Sequence, residues 1–404
     1  MGSANPNLFV SAGEASGELY GARLLTELTA RYRALGLEPR FFGMGGERME
    51  ALGCERIVRS EDVAVMGITE VIRHLPQIYR EYRKLKAAIQ ARQPNIAVLI
   101  DFPDVNLSLA KHLKRAGIPV IYFVSPQLWA WKKYRIREVR RYVDRMLVIF
   151  PFEQGFYRER GVQATFVGHP LANLARPAVS REEFARQCGA GSSKDLDSTR
   201  QWIGLLPGSR LKEVRLNLPE MLRAASLLEK QGEYEFLLPL APTLTAAQRA
   251  EVEAMLPAAP RITLTNDARA TLLHARASVV ASGTATVEAA LIGNPFVVVY
   301  RVSPLSYAVA KRVVDVPHVA MVNLIAGRRA VPELIQGDFT AENVVSHLQP
   351  LLEEGQPRER MIADLREISD MLKAGEYEGG ESAIDRAARI TMEVLKRNLQ
   401  GTAA

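Results

Sequence analysis

Short apolar segments recur along this 404-residue chain, and a segment with helical periodicity follows nearly every one of them. Strands that alternate with helices in this way form a parallel sheet covered by helices. The predicted strands are 7–10, 41–46, 95–100, 119–124, 146–150 and 165–167, and then 202–206, 235–240, 262–264, 277–281 and 296–300. We therefore predict an α/β protein with two Rossmann-like, doubly wound domains.

A polar stretch separates the two sets of strands. The periodicity fades between residues 171 and 200, where GAGSSKDLDSTR has the glycine and serine content of an exposed loop. We place the first domain at 1–175 and the second at 176–375. A charged helical tail is expected over 376–404, packing back on the first domain or on a second subunit.

The formal net charge of +7 favours anionic partners, such as phosphorylated substrates or an acidic membrane surface. No nucleic-acid-binding motif accompanies this charge, so we expect no nucleic acid partner. No secretory signal and no uninterrupted apolar span is recognised, which favours the cytoplasm. The two cysteines, Cys54 and Cys188, lack neighbouring ligands and suggest neither a disulfide nor a zinc site.

The sequence IGLLPGSRLKEV, residues 203–214, predicts a buried strand, a tight turn and the start of a helix. Gly208, Ser209 and Arg210 then lie at the carboxyl end of a strand, where backbone N–H groups and the positive helix end favour a phosphate. The guanidinium of Arg210 matches phosphate oxygens, and Gly208 lets the backbone approach. The alternative is an ordinary strand-to-helix turn.

A second turn of this kind is SGTATVE, residues 282–288. Ser282, Gly283 and Thr284 end a predicted strand and open a helix, so that their hydroxyl and N–H groups can hold a pyrophosphate. Glu288 lies one turn inside the helix, where a carboxylate can take both ribose hydroxyls. The pair of turns is more specific than either alone, and a loop containing Asn323 is expected to return to the same site.

DFPDVN, residues 101–106, follows an apolar strand and brings two carboxylates to the same kind of sheet edge. A partly desolvated carboxylate there can accept a proton from a sugar hydroxyl, and Asp101 is our candidate base. For Asp104 we favour a cap on a helix beginning near Leu107.

Two further loops supply candidates for binding an acceptor. One is the glycine-containing loop after the first strand, and the other follows the strand at 119–124, where a tryptophan can stack on a sugar or pack internally. The candidates are Glu14, Ser16, Gly17, Gln127 and Trp129. FFGMGG, residues 41–46, lacks the spacing of a dinucleotide motif, so NAD is not predicted.

Residues 63–85 combine apolar side chains with Arg73, Arg80, Arg83 and Lys84. Such a surface suits a membrane interface with anionic lipid, although a helix facing its own core is an equal alternative. The candidate membrane residues are Val65, Met66, Ile68, Val71, Ile72 and Leu75.

These motifs together resemble the lipid-A-disaccharide synthases, a family of two-domain glycosyltransferases of the GT-B fold. The matching stretches run in the family's order over nearly the whole chain: AGEASGE, AVMG, DFPDVN, VSPQLWAW, GHP, LLPGSR, ASGTATVE and NLIAG. Glu18 departs from the family's usual Asp, and the polar stretch before Gln201 is longer.

The resemblance implies two domains facing across a cleft and transfer of 2,3-diacylglucosamine from its UDP conjugate to 2,3-diacylglucosamine 1-phosphate, forming a β-1,6 disaccharide with inversion. Asp101 would be the base, Arg210, Ser209 and the Thr284 helix end would stabilise departing UDP, and Glu288 would hold the ribose. No cofactor or divalent metal is implied, and Asp195 to Asp197 is interpreted as solvated surface. The acylated substrates imply docking on the cytoplasmic face of the inner membrane, and a homodimer is possible.

Two other classes of protein remain open. One is a different UDP-sugar enzyme of related fold, such as an epimerase or another GT-B transferase, which should lack the apolar and basic patch. The other is a non-catalytic two-domain binding protein, a class that is usually exported.

Overall fold

The computed structural model describes residues 5–63, 68–189, 196–197, 199–314, 316–373 and 380–401. The chain divides into two compact units. The first consists of Met1–Asn173 together with Leu372–Ala404, and the second is Leu174–Met371.

Each unit contains one fully parallel sheet. The strands of the first are β1 (Asn7–Ala12), β2 (Arg40–Gly45), β3 (Cys54–Arg59), β4 (Ile96–Ile100), β5 (Val120–Phe123), β6 (Arg145–Val148) and β7 (Ala164–Phe166), in the order β3-β2-β1-β4-β5-β6-β7. Those of the second are β8 (Gln201–Leu206), β9 (Tyr234–Pro239), β10 (Ile262–Thr265), β11 (Ala277–Ala281), β12 (Phe296–Tyr300) and β13 (Glu333–Ile335), in the order β10-β9-β8-β11-β12-β13.

Helices connect the strands in both units. They are α1 (Ala15–Ala34), α2 (Glu47–Ala51), α3 (Ile68–Arg92), α4 (Pro103–Arg115), α5 (Ile136–Tyr142), α6 (Pro151–Arg158), α7 (Arg181–Gly189), α8 (Leu211–Glu229), α9 (Ala246–Ala254), α10 (Ala268–His274), α11 (Thr284–Ile292), α12 (Pro304–Val313), α13 (Met321–Ala326), α14 (Ala341–Leu352), α15 (Gln356–Leu372) and α16 (Ala383–Gly401). The last of them, α16, packs against α1 within the first unit.

The central strands are buried on both faces, as parallel strands between helix layers must be. All five residues of β4 are buried, and so are all five of β11. Burying such apolar runs supplies the main favourable free energy of folding. Among the described residues, no helix is both long enough and apolar enough to span a bilayer.

The sequence predictions for the strands are confirmed apart from two omissions and small differences at strand ends. Neither of the edge strands β3 and β13 was predicted, because charged residues interrupt the apolar sequence of β3, and β13 has only three residues. The strand predicted over 146–150 ends at Val148, since Phe150 already precedes helix α6.

Candidate active site

The strand order of each sheet reverses beside its first strand, because β1 lies between β2 and β4, and β8 lies between β9 and β11. In open α/β sheets, ligands bind at the carboxyl edge beside such a reversal. The loops after β1 and β4 share this edge in the first unit, and those after β8 and β11 share it in the second. All the predicted site motifs except the Asn323 loop begin at or next to these edges.

Asp101 follows β4 directly and has a backbone conformation that is costly for a residue with a side chain. Its φ is +49°, and that of Phe102 is +48°. The left-handed region costs a non-glycine residue about 1–2 kcal/mol. Three hydrogen bonds hold Asp101 there: its N–H donates to the Phe123 carbonyl at 3.0 Å, and its own carbonyl accepts from Tyr122 Oη and from Asn106 Nδ2, both at 2.7 Å.

Asn106, in the first turn of α4, links strand β1 to the carboxyl end of β4. Its side chain is fully buried, its Oδ1 accepts from Ser11 Oγ at 2.6 Å, and its Nδ2 also donates to the Ile100 carbonyl at 3.1 Å. The ring of Phe102 covers Gly13 so closely that a Cβ at Gly13 would overlap it. The motifs AGEASGE and DFPDVN therefore interlock, and Asp101 is held by Tyr122 and Phe123 of β5 and by Asn106 of α4.

The cap predicted at Asp104 is wrong. Helix α4 begins at Pro103, and Phe102 occupies the cap position, because the proline sets the helical φ four residues earlier than the apolar pattern indicated. Asp104 lies in the first turn, where its carboxylate accepts from Arg135 Nη1 at 2.5 Å and also pairs with Lys132 at 3.5 Å.

The remaining candidates of the first unit lie on two loops. Glu14 precedes α1 at its amino end in extended conformation, and Ser16 and Gly17 lie in the first turn. After β5, Gln127 is exposed, while Trp129 is partly buried against the ring of Phe152 with centroids 5.0 Å apart. For Trp129 the packing alternative is therefore supported by the structure.

The sequence analysis did not identify Glu153, a buried residue that hydrogen-bonds to this second loop. Its Oε1 accepts from Ser125 Oγ at 2.6 Å and from Trp129 Nε1 at 3.1 Å, while Oε2 accepts the backbone N–H groups of Phe150 and Ile149 at 3.1 and 3.3 Å. Burial raises the pKa of Glu153 to about 7, although these hydrogen bonds favour the charged form. The spacing from Phe150 is that of a helix-capping glutamate, which was the available signal.

The turn Gly208–Arg210 after β8 already contains a carboxylate. Glu213 Oε2 accepts the N–H groups of Ser209 and Arg210 at 3.0 and 3.3 Å, and Oε1 accepts from Arg210 Nη1 at 3.2 Å. A Cβ on Gly208, whose φ is +126°, would lie 2.5 Å from Glu213 Oε2. The glycine thus makes room for Glu213, which caps these N–H groups, so a ligand that uses them must displace its carboxylate.

The turn after β11 is more open. Gly283, at φ +152°, precedes α11, and a Cβ there would meet no atom within 4 Å among the described residues. Thr284 is exposed, and Ser282 Oγ donates to the Val319 carbonyl at 3.3 Å. Burial raises the pKa of Glu288, which lies in the second turn, and the nearby Arg269 opposes that shift.

Asn323 is buried, and its side-chain amide forms hydrogen bonds with neighbouring residues of the second unit. Its Nδ2 donates to Glu333 Oε1 at 2.7 Å and to the Val331 carbonyl at 2.9 Å, and its Oδ1 accepts the Val331 N–H at 2.9 Å. Glu333 also accepts the N–H groups of Val319 and Ala320 at 3.0 and 3.1 Å. Glu333, which sequence reasoning missed, therefore fixes the loop that reaches Ser282.

Some predictions fall where little is described. Val65 and Met66 lie outside the described residues, as does Asp195. For Ile68, Val71, Ile72 and Leu75 only the backbone is described, and it belongs to α3. Within the described part of the chain, no group of three or more His, Cys, Asp or Glu residues is arranged to hold a metal ion.

Solved structures with the same architecture identify the fold. The kitacinnamycin glycotransferase matches with a TM-score of 0.63 at 15% identity, covering 97% of this chain and 99% of that chain. MurG from Acinetobacter baumannii matches with a TM-score of 0.52 at 14% identity, covering 96% and 99%. The two Rossmann-like sheets are those of a GT-B glycosyltransferase fold, as predicted.

The sequence then identifies the family. The model of the lipid-A-disaccharide synthetase family matches residues 8–387. A lipid-A-disaccharide synthase of Acidobacterium capsulatum is 62% identical over 407 residues, covering 98% of each chain. The chain belongs to this family, and its activity is that of a glycosyltransferase in lipid A biosynthesis. The resemblance drawn from the motifs is confirmed.

Proposed function

We propose that the chain transfers 2,3-diacylglucosamine from its UDP conjugate to the 6-hydroxyl of 2,3-diacylglucosamine 1-phosphate, with inversion at the anomeric carbon. The observation that carries this proposal is the strained, triply hydrogen-bonded backbone of Asp101 at the sheet reversal. Strain of this kind persists where surrounding structure enforces it, and it concentrates at functional sites.

Asp101 acts as the general base. The acceptor oxygen forms a bond to the anomeric carbon while the bond from that carbon to the UDP oxygen breaks, and the acceptor proton moves to the Asp101 carboxylate. Burial raises the pKa of the Tyr122 hydroxyl, and the Asp101 carboxylate beside it raises that pKa further. Inversion needs a base on the acceptor and stabilisation of the leaving group, without a covalent intermediate.

The second unit holds UDP. Arg210 and Ser209, with Gly208 between strand and helix, stabilise the diphosphate as it leaves, together with Ser282, Gly283 and Thr284 at the start of α11. Glu288 takes the ribose hydroxyls. Asn323 has a positioning role, because its polar atoms hold Val331 and Glu333.

The acceptor is held in the first unit by the loops after β1 and β5. Their polar and aromatic groups suit a phosphorylated sugar with acyl chains, and Gln127 is exposed to contact it. The residues proposed here are Glu14, Ser16, Gly17 and Gln127, and Trp129, which packs on Phe152, would position the loop that carries Gln127.

The acylated substrates reside in a membrane, and we propose that the enzyme docks peripherally on the cytoplasmic face of the inner membrane. The sequence of α3 supports this, since apolar residues and Arg73 lie near its start and Arg80, Arg83 and Lys84 follow. The residues proposed to enter the lipid are Val65, Met66, Ile68, Val71, Ile72 and Leu75. A homodimer is compatible with the same assignment.

Substituting Asp101→Asn tests the reaction and the base together. The wild type, incubated with both acylated substrates, should give the disaccharide and UDP by mass spectrometry. We expect Asp101→Asn to bind UDP normally and to lose about 10²- to 10⁴-fold in kcat, which is the usual contribution of a general base. Asp104→Asn is the matched control, since its exposed carboxylate pairs with Arg135. Near-normal turnover in Asp101→Asn removes it as the base, whereas absence of disaccharide from the wild type refutes the assigned reaction.

A further inference from the structure

A cavity of about 380 Å³ lies in the second unit at the amino ends of β8 and β11. We call it the basic cavity, because its walls include Arg181, Arg200, Arg276, Arg358, His274 and Trp202. Among the described residues that line it, none is acidic. The strand β8 separates it from the turn Gly208–Arg210 by about 20 Å, at roughly 3.3 Å per residue.

Backbone carbonyls hold two of the arginines in place. Arg181 donates from Nη1 to the His274 carbonyl at 2.6 Å and from Nη2 to the Arg200 carbonyl at 2.7 Å, and its guanidinium lies 3.6 Å from the centre of the Trp202 ring. Arg358 Nη1 donates to the carbonyls of Arg276 and Leu351 at 2.8 and 2.7 Å. These hydrogen bonds fix the orientation of both guanidinium groups at the wall of the cavity.

The charge of the cavity is only partly balanced. Glu354 pairs with Arg276 at 2.7 Å, and Asp197 and Glu233 lie 3.4 and 3.9 Å from Arg200. These three carboxylate side chains are 82%, 43% and 83% exposed, where screening by water weakens the pairs. The carboxyl ends of α10 and α14 offset a further part. Burial nevertheless lowers the pKa of Arg181 and of Arg358, and the nearby Arg276 lowers the pKa of Arg358 further. Like charges are thus held together at a partly buried site, which an anion would relieve.

We propose that the basic cavity binds a phosphate dianion, either inorganic phosphate or a phosphate monoester, at a site separate from the one that holds UDP. Guanidinium groups form paired hydrogen bonds with phosphate oxygens, and a phosphate group is small enough to enter a cavity of this volume. The site is remote from both phosphate-binding turns, so it serves a second ligand.

Calorimetric titration of inorganic phosphate into the full chain tests the site. Excess UDP keeps the turn Gly208–Arg210 occupied, and chloride holds the ionic strength constant. We expect one saturable site per chain. Arg276→Gln and Arg358→Gln should each weaken it at least tenfold, while Arg328→Gln, which removes an exposed guanidinium paired with Asp364 and Glu367, should leave it unchanged.

Arg358 donates hydrogen bonds to two backbone carbonyls, so circular dichroism is used to check that Arg358→Gln folds. If it does not fold, Arg200→Gln replaces it, because the Arg200 side chain is 40% exposed at the rim of the cavity. Absence of a saturable site in the wild type overturns the proposal, as does equal affinity in Arg276→Gln, Arg200→Gln and wild type.

Vesicles distinguish a lipid headgroup from a free phosphate ester as the source of the ligand. Phosphatidic acid vesicles are compared with phosphatidylcholine vesicles by co-sedimentation. If Arg276→Gln lowers binding to phosphatidic acid, the ligand is a headgroup, and if only the titration changes, it is a free phosphate ester. Both results support the site, whereas a variant that changes neither measurement refutes it.

Discussion

Replacing Glu153 by glutamine should change how the stability of the first unit depends on pH. Burial raises the pKa of this carboxyl from its ordinary value of 4.5 to about 7 in the folded chain. Between these two values the folded state retains a proton that the unfolded state has lost, so stability decreases as pH rises. For these values, the decrease from about pH 5 to pH 8 is about 2.5 kcal/mol, and glutamine, which does not titrate, abolishes it.

Hydrogen exchange measures this locally. The peptide covering β6 and α6 contains the amides of Ile149 and Phe150, which donate to Glu153. Its free energy of opening, corrected for intrinsic exchange rates, is compared between wild type and Glu153→Gln from pH 5 to pH 8. Glutamine also places an amide donor opposite an N–H donor, so the variant should be less stable at every pH.

Glu159→Gln is the matched control. Its carboxylate lies just beyond α6, is 75% exposed and pairs with Arg160. We expect the control to keep the wild-type pH dependence. Parallel profiles for wild type and Glu153→Gln would show that the carboxyl is already ionised at pH 5, and would refute the reasoning from burial.

Two further predictions concern ligands. Arg210→Ala should weaken UDP binding about 10- to 100-fold, since hydrogen bonds to a charged group contribute about 1.5–3 kcal/mol. The control Arg215→Ala, which removes an exposed ion pair with Glu251, should bind UDP as the wild type does. If calorimetry gives Arg210→Ala the wild-type affinity for UDP, the diphosphate binds elsewhere. Changing Val71 and Ile72 together to Ser should lower binding to phosphatidylglycerol vesicles at least about tenfold, because burial of each side chain contributes about 1.5–3 kcal/mol. The control Leu35→Ser, at an exposed leucine, should leave vesicle binding unchanged. If the double variant also binds as the wild type does, α3 is not the membrane contact.

Local sequence predicted most of the fold because apolar strands and helix starts are local patterns. Ala277–Ala281 and Phe296–Tyr300 were predicted to the residue, and the turns after β8 and β11 follow from them. Asp101 was reached in the same way, as the polar residue after a buried strand. The hydrogen bonds that hold Asp101 were not predicted, because they depend on Asn106, which bonds to Ser11, 95 residues away in sequence.

The glutamates missed in the sequence show the same limit. Glu153 and Glu213 both stand at the third helical position, where a carboxylate can cap the backbone, so their spacing was visible. The groups that they bond to were not visible in the sequence, because these depend on the tertiary surroundings of each glutamate. Glu153 is buried against Ser125 and Trp129 from another loop, while Glu213 accepts the N–H groups of a turn for which the sequence predicted a phosphate.

The carboxylate of Glu213 already occupies the hydrogen-bond donors of the turn Gly208–Arg210. Its two oxygens take the N–H groups and the guanidinium that a phosphate would use, so the turn keeps a binding-ready shape without a ligand. A diphosphate that uses these donors must exchange with the carboxylate. At the UDP site that we propose, the affinity is the difference between two anions competing for one set of donors, and we expect Glu213 to favour release of the product.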